Sequence, residues 1–198
     1  TSGNGNGTNG NPYNQTGLDA ALGGDVATDG SDTLTIASGS TAAISAANAS
    51  LMPIVGSGTV NITASTLSAS ADFSKFTATT TFDGGTSLTI NGSGIEIKLT
   101  ASVTSATSIS ITDGSYTIVD TLSNATGVTA SKLNAAGSVA LSDSSVTAAN
   151  LSTLNTKTTT AINASTVTAI SGSASELDTV YTAADNGDFS DLGNEALT

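Results

Sequence analysis

The sequence contains no cysteine and no histidine, and it has no arginine. These absences exclude a disulfide framework, a thiol nucleophile, a zinc cluster of the usual ligands and a Ser/His/Asp triad. Positive charge is also scarce, because four lysines stand against sixteen acidic residues, for a formal net charge of −12. Nucleic acids and anionic membrane surfaces both require a basic footprint, so the composition argues against either partner. We expect no enzymatic activity.

Aromatic residues make up 4% of the chain and charged residues 10%. The core must therefore be built from Ile, Val, Leu and Ala, which suits a narrow, regularly layered interior. No apolar run approaches the ~18 residues of a spanning helix, so we expect no membrane insertion. The chain begins in a polar Gly/Asn stretch, and we interpret it as a mature or excised portion of a longer extracellular protein.

The composition changes along the chain and indicates three regions. Residues 1–31 are rich in Gly and Asn and are interpreted either as a linker or as an arm that docks on a neighbour. Residues 32–125 form a β-layered region, and residues 126–198 form a repeat region with short helices.

Short alternating runs of aliphatic and hydroxyl residues predict strands with one buried face. We predict a buried core that includes Leu67, Leu88, Ile90, Ile97, Ile111, Leu141, Leu151 and Ile162. Within residues 87–99, Asn91-Gly92 favours a tight turn, so this segment predicts an antiparallel hairpin.

The second half of the chain repeats itself. The segment 128–133, VTASKL, matches 146–151, VTAANL, and 167–170, VTAI, begins in the same way. More loosely, the segment 58–62 followed by Leu67 resembles the segment 137–141 followed by Val146. Periods near 20 residues are typical of stacked repeats, in which each coil buries an apolar edge against the next.

Two short helices interrupt the predicted strands. Thr147 can cap a helix from Ala148 to Leu154. Ser173 and Glu176 form a capping box ahead of Leu177, Val180 and Tyr181, which recur at helical spacing. Both helices are too short to be stable without packing on the strands.

Residues 166–197 contain an Ile-Ser-Gly-Ser-Ala phrase (170–174), then a short predicted helix, and finally a Leu-Gly-Asn-Glu-Ala phrase (192–196). This pattern resembles a recurring module of very large cell-surface and secreted proteins of marine cyanobacteria and some proteobacteria. The resemblance covers about 128–198. It implies long tandem arrays at the cell surface, in sheaths, motility-related envelopes or adhesins, and it carries no catalytic residue.

Two loops offer oxygen ligands of the kind that calcium prefers. Asp185, Asn186 and Asp188 surround Gly187, and Asp25, Asp29 and Asp32 cluster around Gly30. Neither loop follows the twelve-residue calcium-loop pattern or the nonapeptide roll. Asn, Asp and Gly are also ordinary turn residues, so a calcium site and a plain turn both remain open. No other cofactor is expected.

Other candidate sites are weaker. Asp185 with Asp188, or Glu176 with Asp178, could in principle supply paired carboxylates, but nothing nearby would bind a sugar. The threonine runs 77–81 and 156–160 raise an ice-binding hypothesis against an ordinary solvated strand face. Asn-x-Ser/Thr triplets, which a chain of this composition produces by chance, begin at Asn14, Asn48, Asn61, Asn91, Asn124, Asn150 and Asn163.

These patterns predict a mainly β fold of solenoid-like stacked strands with short helical turns, and adhesin-type β-sandwich domains are the alternative. The predicted function is that of a structural module in an extracellular bacterial assembly: a filament, a sheath, a surface layer or a giant adhesin repeat. Its partners would be copies of itself or neighbouring repeats of a longer chain. The alternative function is a surface-binding module that depends on calcium or binds glycans or ice.

Overall fold

The computed structural model describes residues 33–198, in which 40% strand and 25% helix make a mainly β fold, as predicted. These residues divide into two compact units. Unit 1 contains residues 33–98 and 106–115, and unit 2 contains residues 99–105 and 116–198. The predicted segment 1–31 and the cluster of Asp25, Asp29 and Asp32 lie outside the described residues. The boundary expected between residues 125 and 126 stays a prediction.

Unit 1 is built from short strands and one helical turn. Its elements are β1 (Leu34–Ile36), β2 (Thr41–Ile44), α1 (Ala46–Ala49), β3 (Ile54–Gly56), β4 (Thr59–Ile62), β5 (Thr66–Leu67), β6 (Ala71–Phe73) and β7 (Thr79–Phe82). Two longer strands, β8 (Ser87–Leu99) and β9 (Ser108–Asp120), contribute residues to both units.

Unit 2 alternates strands with helices. Its elements are most of α2 (Ala101–Ala106), then α3 (Leu122–Gly127), α4 (Ala130–Ala135), β10 (Ser138–Leu141), β11 (Ser145–Thr147), α5 (Ala148–Asn155), β12 (Ile162–Asn163), β13 (Ala169–Ser171), α6 (Ala174–Asp185), β14 (Phe189–Ser190) and β15 (Ala196–Leu197). Helices α3, α5 and α6 pack side by side and begin at 26-residue intervals, at Leu122, Ala148 and Ala174.

Each strand pairing with a defined register is parallel. The paired residues lie between 18 and 27 positions apart in the chain, as in Thr41 beside Thr59 and Ala169 beside Ala196. Parallel neighbours need a crossover connection of this length, whereas antiparallel hairpins do not. The sandwich alternative is therefore wrong for the described residues, because sandwiches are made of antiparallel sheets.

The core of unit 1 consists of apolar residues aligned across neighbouring strands. Ile44, Ile62 and Phe82 occupy successive positions of the β2-β4-β7 sheet, and each is buried. Phe73 joins them, with ring centroids 6.1 Å from Phe82 and 5.2 Å from Phe76. The expectation of a purely aliphatic core is therefore wrong here, since these rings fill the interior.

The core of unit 2 is a second aligned set. Ile118, Val139, Ile162 and Phe189 follow one another across the strands β9, β10, β12 and β14, and all four are buried. A parallel sheet of strands β11, β13 and β15 aligns Val146, Ile170 and Leu197, of which Val146 and Ile170 are buried and Leu197 is exposed. A row of this kind lets small aliphatic residues bury apolar area continuously along the sheet.

The antiparallel hairpin predicted for residues 87–99 is wrong. The segment is the single strand β8, whose residues Thr89 and Ile90 pair in parallel with Thr66 and Leu67. Neither Asn91 nor Gly92 adopts the positive φ that a tight hairpin turn requires. Asn-Gly permits such a turn, but here pairing with β5 keeps the chain extended.

Seven of the eight predicted core residues are buried: Leu67, Leu88, Ile90, Ile97, Leu141, Leu151 and Ile162. The prediction for Ile111 is wrong, because its side chain is 41% exposed. The buried residues of β9 are Tyr116, Thr117 and Ile118, which follow Gly114, a residue with φ of +97°. The alternation at Ile109 and Ile111 lies in the other half of the strand.

The sequence repeats have two different structural meanings. In the VTA repeat, Thr129 and Thr147 are helix N-caps. A buried valine stands directly before each cap, and a buried leucine stands four positions after it. That is the pattern of a hydrophobic staple. The looser repeat marks a corner between strands, since β4 leads to β5 and β10 leads to β11 at the same spacing.

Candidate functional site

The loop of Asp185, Asn186 and Asp188 forms the C-terminal cap of α6. Asn186 is the C-cap residue, and Gly187 follows it with φ of +89°. The N–H of Asp188 donates to the carbonyl of Ala183 at 3.0 Å, and the N–H of Gly187 to that of Ala184 at 2.9 Å. This pair of hydrogen bonds is a Schellman motif, in which the glycine adopts the left-handed conformation.

The side chains of this loop are exposed. A carboxylate oxygen of Asp188 accepts a hydrogen bond from the Asn155 amide at 3.0 Å, which leaves its second oxygen for solvent or a cation. Within residues 33–198, no three acidic side chains come together in a group that could hold a metal ion. Calcium binding at Asp185, Asn186 and Asp188 stays a prediction.

The other predicted carboxylate pair lies at the opposite end of α6. The capping box is confirmed, because the Ser173 hydroxyl accepts from the Glu176 N–H at 3.4 Å and a Glu176 carboxylate oxygen accepts from the Ser173 N–H at 2.7 Å. The hydrogen bond from the Ser173 N–H, together with one that the Ser173 hydroxyl donates to the same carboxylate oxygen at 2.8 Å, holds the pKa of Glu176 below its usual value. The Glu176 carboxylate therefore serves the helix cap, and Asp178 is exposed on the same helix. The cap predicted at Thr147 is confirmed as well.

We expect the N-terminal turn of α6 to loosen in acid. Because folding lowers the pKa of Glu176, its contribution is present above the pKa of the unfolded chain and is lost as the pH falls through the folded value. Amide hydrogen exchange at Glu176 should accelerate over that range, beyond the intrinsic change of exchange rate with pH. In Glu176→Gln, which can still cap but cannot titrate, this extra acceleration should be absent. An identical profile in the two proteins would contradict this role.

The threonine runs occupy different environments. Thr79 aligns with Thr59 and Thr41 across the β2-β4-β7 sheet. Two positions further along the strands, the aligned residues are Ala43, Asn61 and Thr81, and Ala43 and Asn61 are buried. In the second run, the Thr160 hydroxyl donates to the carbonyls of Leu133 and Ala136, and Thr158 is buried. The structure therefore places one threonine row in unit 1 and uses the second run for packing contacts.

The Asn-x-Ser/Thr triplets also differ in accessibility. Asn91, Asn124 and Asn150 are exposed, whereas Asn61 is 4% exposed and its side-chain oxygen accepts from Thr81 and Gly84. Asn61 is thus a structural residue. Asn14 lies outside the described residues.

A polar groove that the sequence analysis missed lies on unit 1. Its cavity volume is about 360 Å³, and it is lined by Ser50, Ser70, Ala71, Asp72, Glu96 and Lys98. The Asp72 carboxylate accepts from the Ser74 N–H at 2.9 Å and from the Ser74 hydroxyl at 2.6 Å. The groove offers both signs of charge to a polar ligand.

Charged side chains in unit 2 join successive segments of the chain. The Asp120 carboxylate accepts from the N–H of Ala101 at the start of α2, at 3.0 Å, and from the Thr121 N–H and the Asn124 amide at α3. The Asp143 carboxylate accepts from the Leu122 N–H, also at the start of α3. Each carboxylate meets a helix N-terminus, where unpaired N–H groups and the helix dipole favour negative charge.

The lysines of unit 2 occupy the opposite helix ends. Lys132 donates to the carbonyls of Thr104 and Ser105 at the end of α2, both at 2.7 Å, and Lys157 donates to the carbonyl of Thr126 in α3. Helices α2 and α3 thus receive an Asp at one end and a Lys at the other from residues 19 to 31 positions later. The sequence contained a signal for these contacts. Asp120 and Asp143 are separated by about the distance between paired strand residues, and so are Lys132 and Lys157.

The described helices do not include a membrane-spanning candidate, since none is both long and apolar enough to cross a bilayer. No protein-family model, no curated protein and no solved structure matches the chain.

Proposed function

We propose that this chain is a structural module of an extracellular bacterial assembly, in which successive coils stack as a solenoid and modules associate through strand edges or the N-terminal arm. One observation carries the proposal: the defined strand registers are parallel and join residues 18 to 27 positions apart. Such registers are what a chain produces when each coil lies on the one before it.

The contacts between successive segments support the same proposal. Apolar rows, helices and the Asp and Lys contacts of unit 2 all link a segment to the next one along the chain. A stack of this kind distributes its stability over neighbouring coils and presents open edges at which further strands can add. The resemblance of residues 128–198 to modules of very large surface proteins supports a cell-surface location. The proposed arm, residues 1–31, lies outside the described residues.

Electron microscopy of the purified native material, with and without a calcium chelator, tests the proposal. We expect ordered filaments or sheets that survive chelation, because strand pairing and apolar rows need no metal ion. Filaments that dissolve in chelator and return with calcium, but not with magnesium, would place calcium within the mechanism. Monodisperse particles in both conditions would contradict assembly and favour a spacer or a binding module, with the polar groove of unit 1 as the first place to examine.

A further inference from the structure

The first half of β9 has a neighbouring strand on one side. In the strand order, β9 lies between β8 and β10, but β10 pairs with Thr117–Asp120 alone. No strand of the described residues pairs with the outer side of residues 108–115. Ser108, Ser110, Thr112 and Asp113 are exposed there, and Ile111 is one of the two large apolar side chains that are exposed within residues 33–198.

The backbone of this segment has a defined orientation. The N–H of Ser108 donates to the carbonyl of Thr86 at 2.7 Å. The backbone N–H and C=O groups of Ser108, and by alternation those of Ser110, therefore point toward β8. At Gly114, a Cβ atom would lie 2.9 Å from the carbonyl oxygen of Gly92, which marks the close approach of β9 to β8. The N–H and C=O groups of Ile109 and Ile111 consequently point away from β8, toward the open side.

We propose that this edge, residues 108–113, pairs in antiparallel fashion with the same edge of a second copy of the chain. The inference rests on the proposed self-association and names one surface that takes part in it, while extension beyond a dimer would use another edge. A contact between identical edges is isologous and closes as a dimer. Adding a strand to an exposed edge supplies main-chain hydrogen bonds, and the side chains then decide the partner.

The register follows from the side chains. With the symmetry axis at Ser110, Ile109 lies opposite the partner's Ile111, and Ile111 opposite the partner's Ile109. These are hydrogen-bonded pairs, since both residues direct their N–H and C=O groups outward. An axis at Ile111 would instead place Ile109 opposite the partner's Asp113. The Ser110 axis therefore gives two cross-strand isoleucine pairs, which stabilise a sheet, and avoids that mismatch.

The distribution of charge along the edge also favours a second copy of the chain as the partner. Residues 99–112 contain no charged side chain, and Asp113 would lie opposite Thr107 of the partner subunit. The two aspartates are then at opposite ends of the seven-residue pairing, residues 107–113, where like-charge repulsion is small. The hydroxyl face of Ser108, Ser110 and Thr112 would meet its own copy, because Ser108 lies opposite the partner's Thr112.

A single engineered cysteine tests this register in a chain that has none of its own. Ser110 would form a non-hydrogen-bonded pair with its own copy, in which the Cα atoms lie about 4.5 Å apart and can be bridged by a disulfide. Thr112 would lie about 14 Å from its own copy, beyond disulfide reach. We expect Ser110→Cys to form a covalent dimer at least about tenfold faster than Thr112→Cys. Equal rates would overturn the proposal.

A second variant tests the isoleucine pairs without engineered cysteine. Ile111→Lys should weaken dimerisation in sedimentation experiments by about tenfold, since symmetry removes two apolar pairs at once. Ile111→Val should retain it, and circular dichroism should show that both variants remain folded, because the Ile111 side chain is 41% exposed and outside the buried core. Unchanged association of Ile111→Lys would overturn this edge. If such material still forms ordered filaments or sheets, the proposed function survives through another edge, so the two failures are distinguishable.

Discussion

Replacing Ile162 with alanine is expected to lower the free energy of unfolding of unit 2 by about 3 kcal/mol. Ile162 is fully buried and lies between Val139 on one neighbouring strand and Phe189 on the other. Removing its side chain leaves a cavity that borders both neighbours, so the lost burial is not recovered by local collapse. Urea unfolding followed by circular dichroism measures the change.

The matched control for Ile162→Ala is Leu197→Ala in the same unit. The change removes the same number of carbon atoms from a side chain that is 56% exposed, so the expected change is about 0.5 kcal/mol or less. Similar losses in both variants would contradict the assignment of Ile162 to a continuous apolar row. Amide exchange should also accelerate at Val139 and Phe189 in Ile162→Ala, because the damage spreads to the paired strands.

Replacing Asp120 with alanine is expected to destabilise unit 2 by about 2 kcal/mol. The carboxylate accepts hydrogen bonds from the Ala101 N–H, the Thr121 N–H and the Asn124 amide. Its removal leaves the first N–H of α2 without its acceptor and weakens the start of α3. Faster amide exchange at Ala101 and a lower midpoint of urea unfolding are the measurements.

Asp178→Ala is the control for Asp120→Ala. Asp178 belongs to the same unit and is exposed on α6. The same loss of charge should therefore cost about 0.5 kcal/mol or less. If the two variants lost the same stability, the change in net charge and not the loss of helix capping would explain the destabilisation.

Local signals in the sequence predicted local structure well. The caps at Thr147 and Ser173 and the helices that follow them depend on neighbouring residues, and the structure confirms both. Buried strand positions such as Leu88 and Ile90 were predicted from alternation alone, because the two faces of a strand differ in every second residue.

The errors arose where distant residues decide the outcome. Asn91-Gly92 suits a hairpin turn, yet pairing with β5, more than twenty residues earlier, keeps β8 extended. Alternation at Ile109 and Ile111 indicated a strand correctly, but it carried no information on whether another strand covers the outer side. A sequence pattern defines what a strand can bury, and only its neighbours define what it does bury.

The candidate sites also differ in whether neighbouring or distant residues determine them. For the loop of Asp185, Asn186 and Asp188, the sequence leaves a calcium site and a plain turn both open, and its role as a helix cap depends on the position at which α6 ends. The contacts of Asp120 and Lys132 join residues that are far apart in the chain, so they required the parallel register. That register follows from many weak apolar and hydrogen-bond contacts, and no short motif encodes it.

Nuclear Overhauser spectroscopy on isotopically labelled protein tests the parallel stack most directly. Neighbouring strands lie about 4.8 Å apart, so side chains aligned across them give strong signals. The account predicts cross-peaks from Ile162 to both Val139 and Phe189, and from Thr89 to Thr66. Cross-peaks between Leu88 and Ile95 across a turn at Asn91-Gly92, with none between Ile162 and Val139, would contradict it.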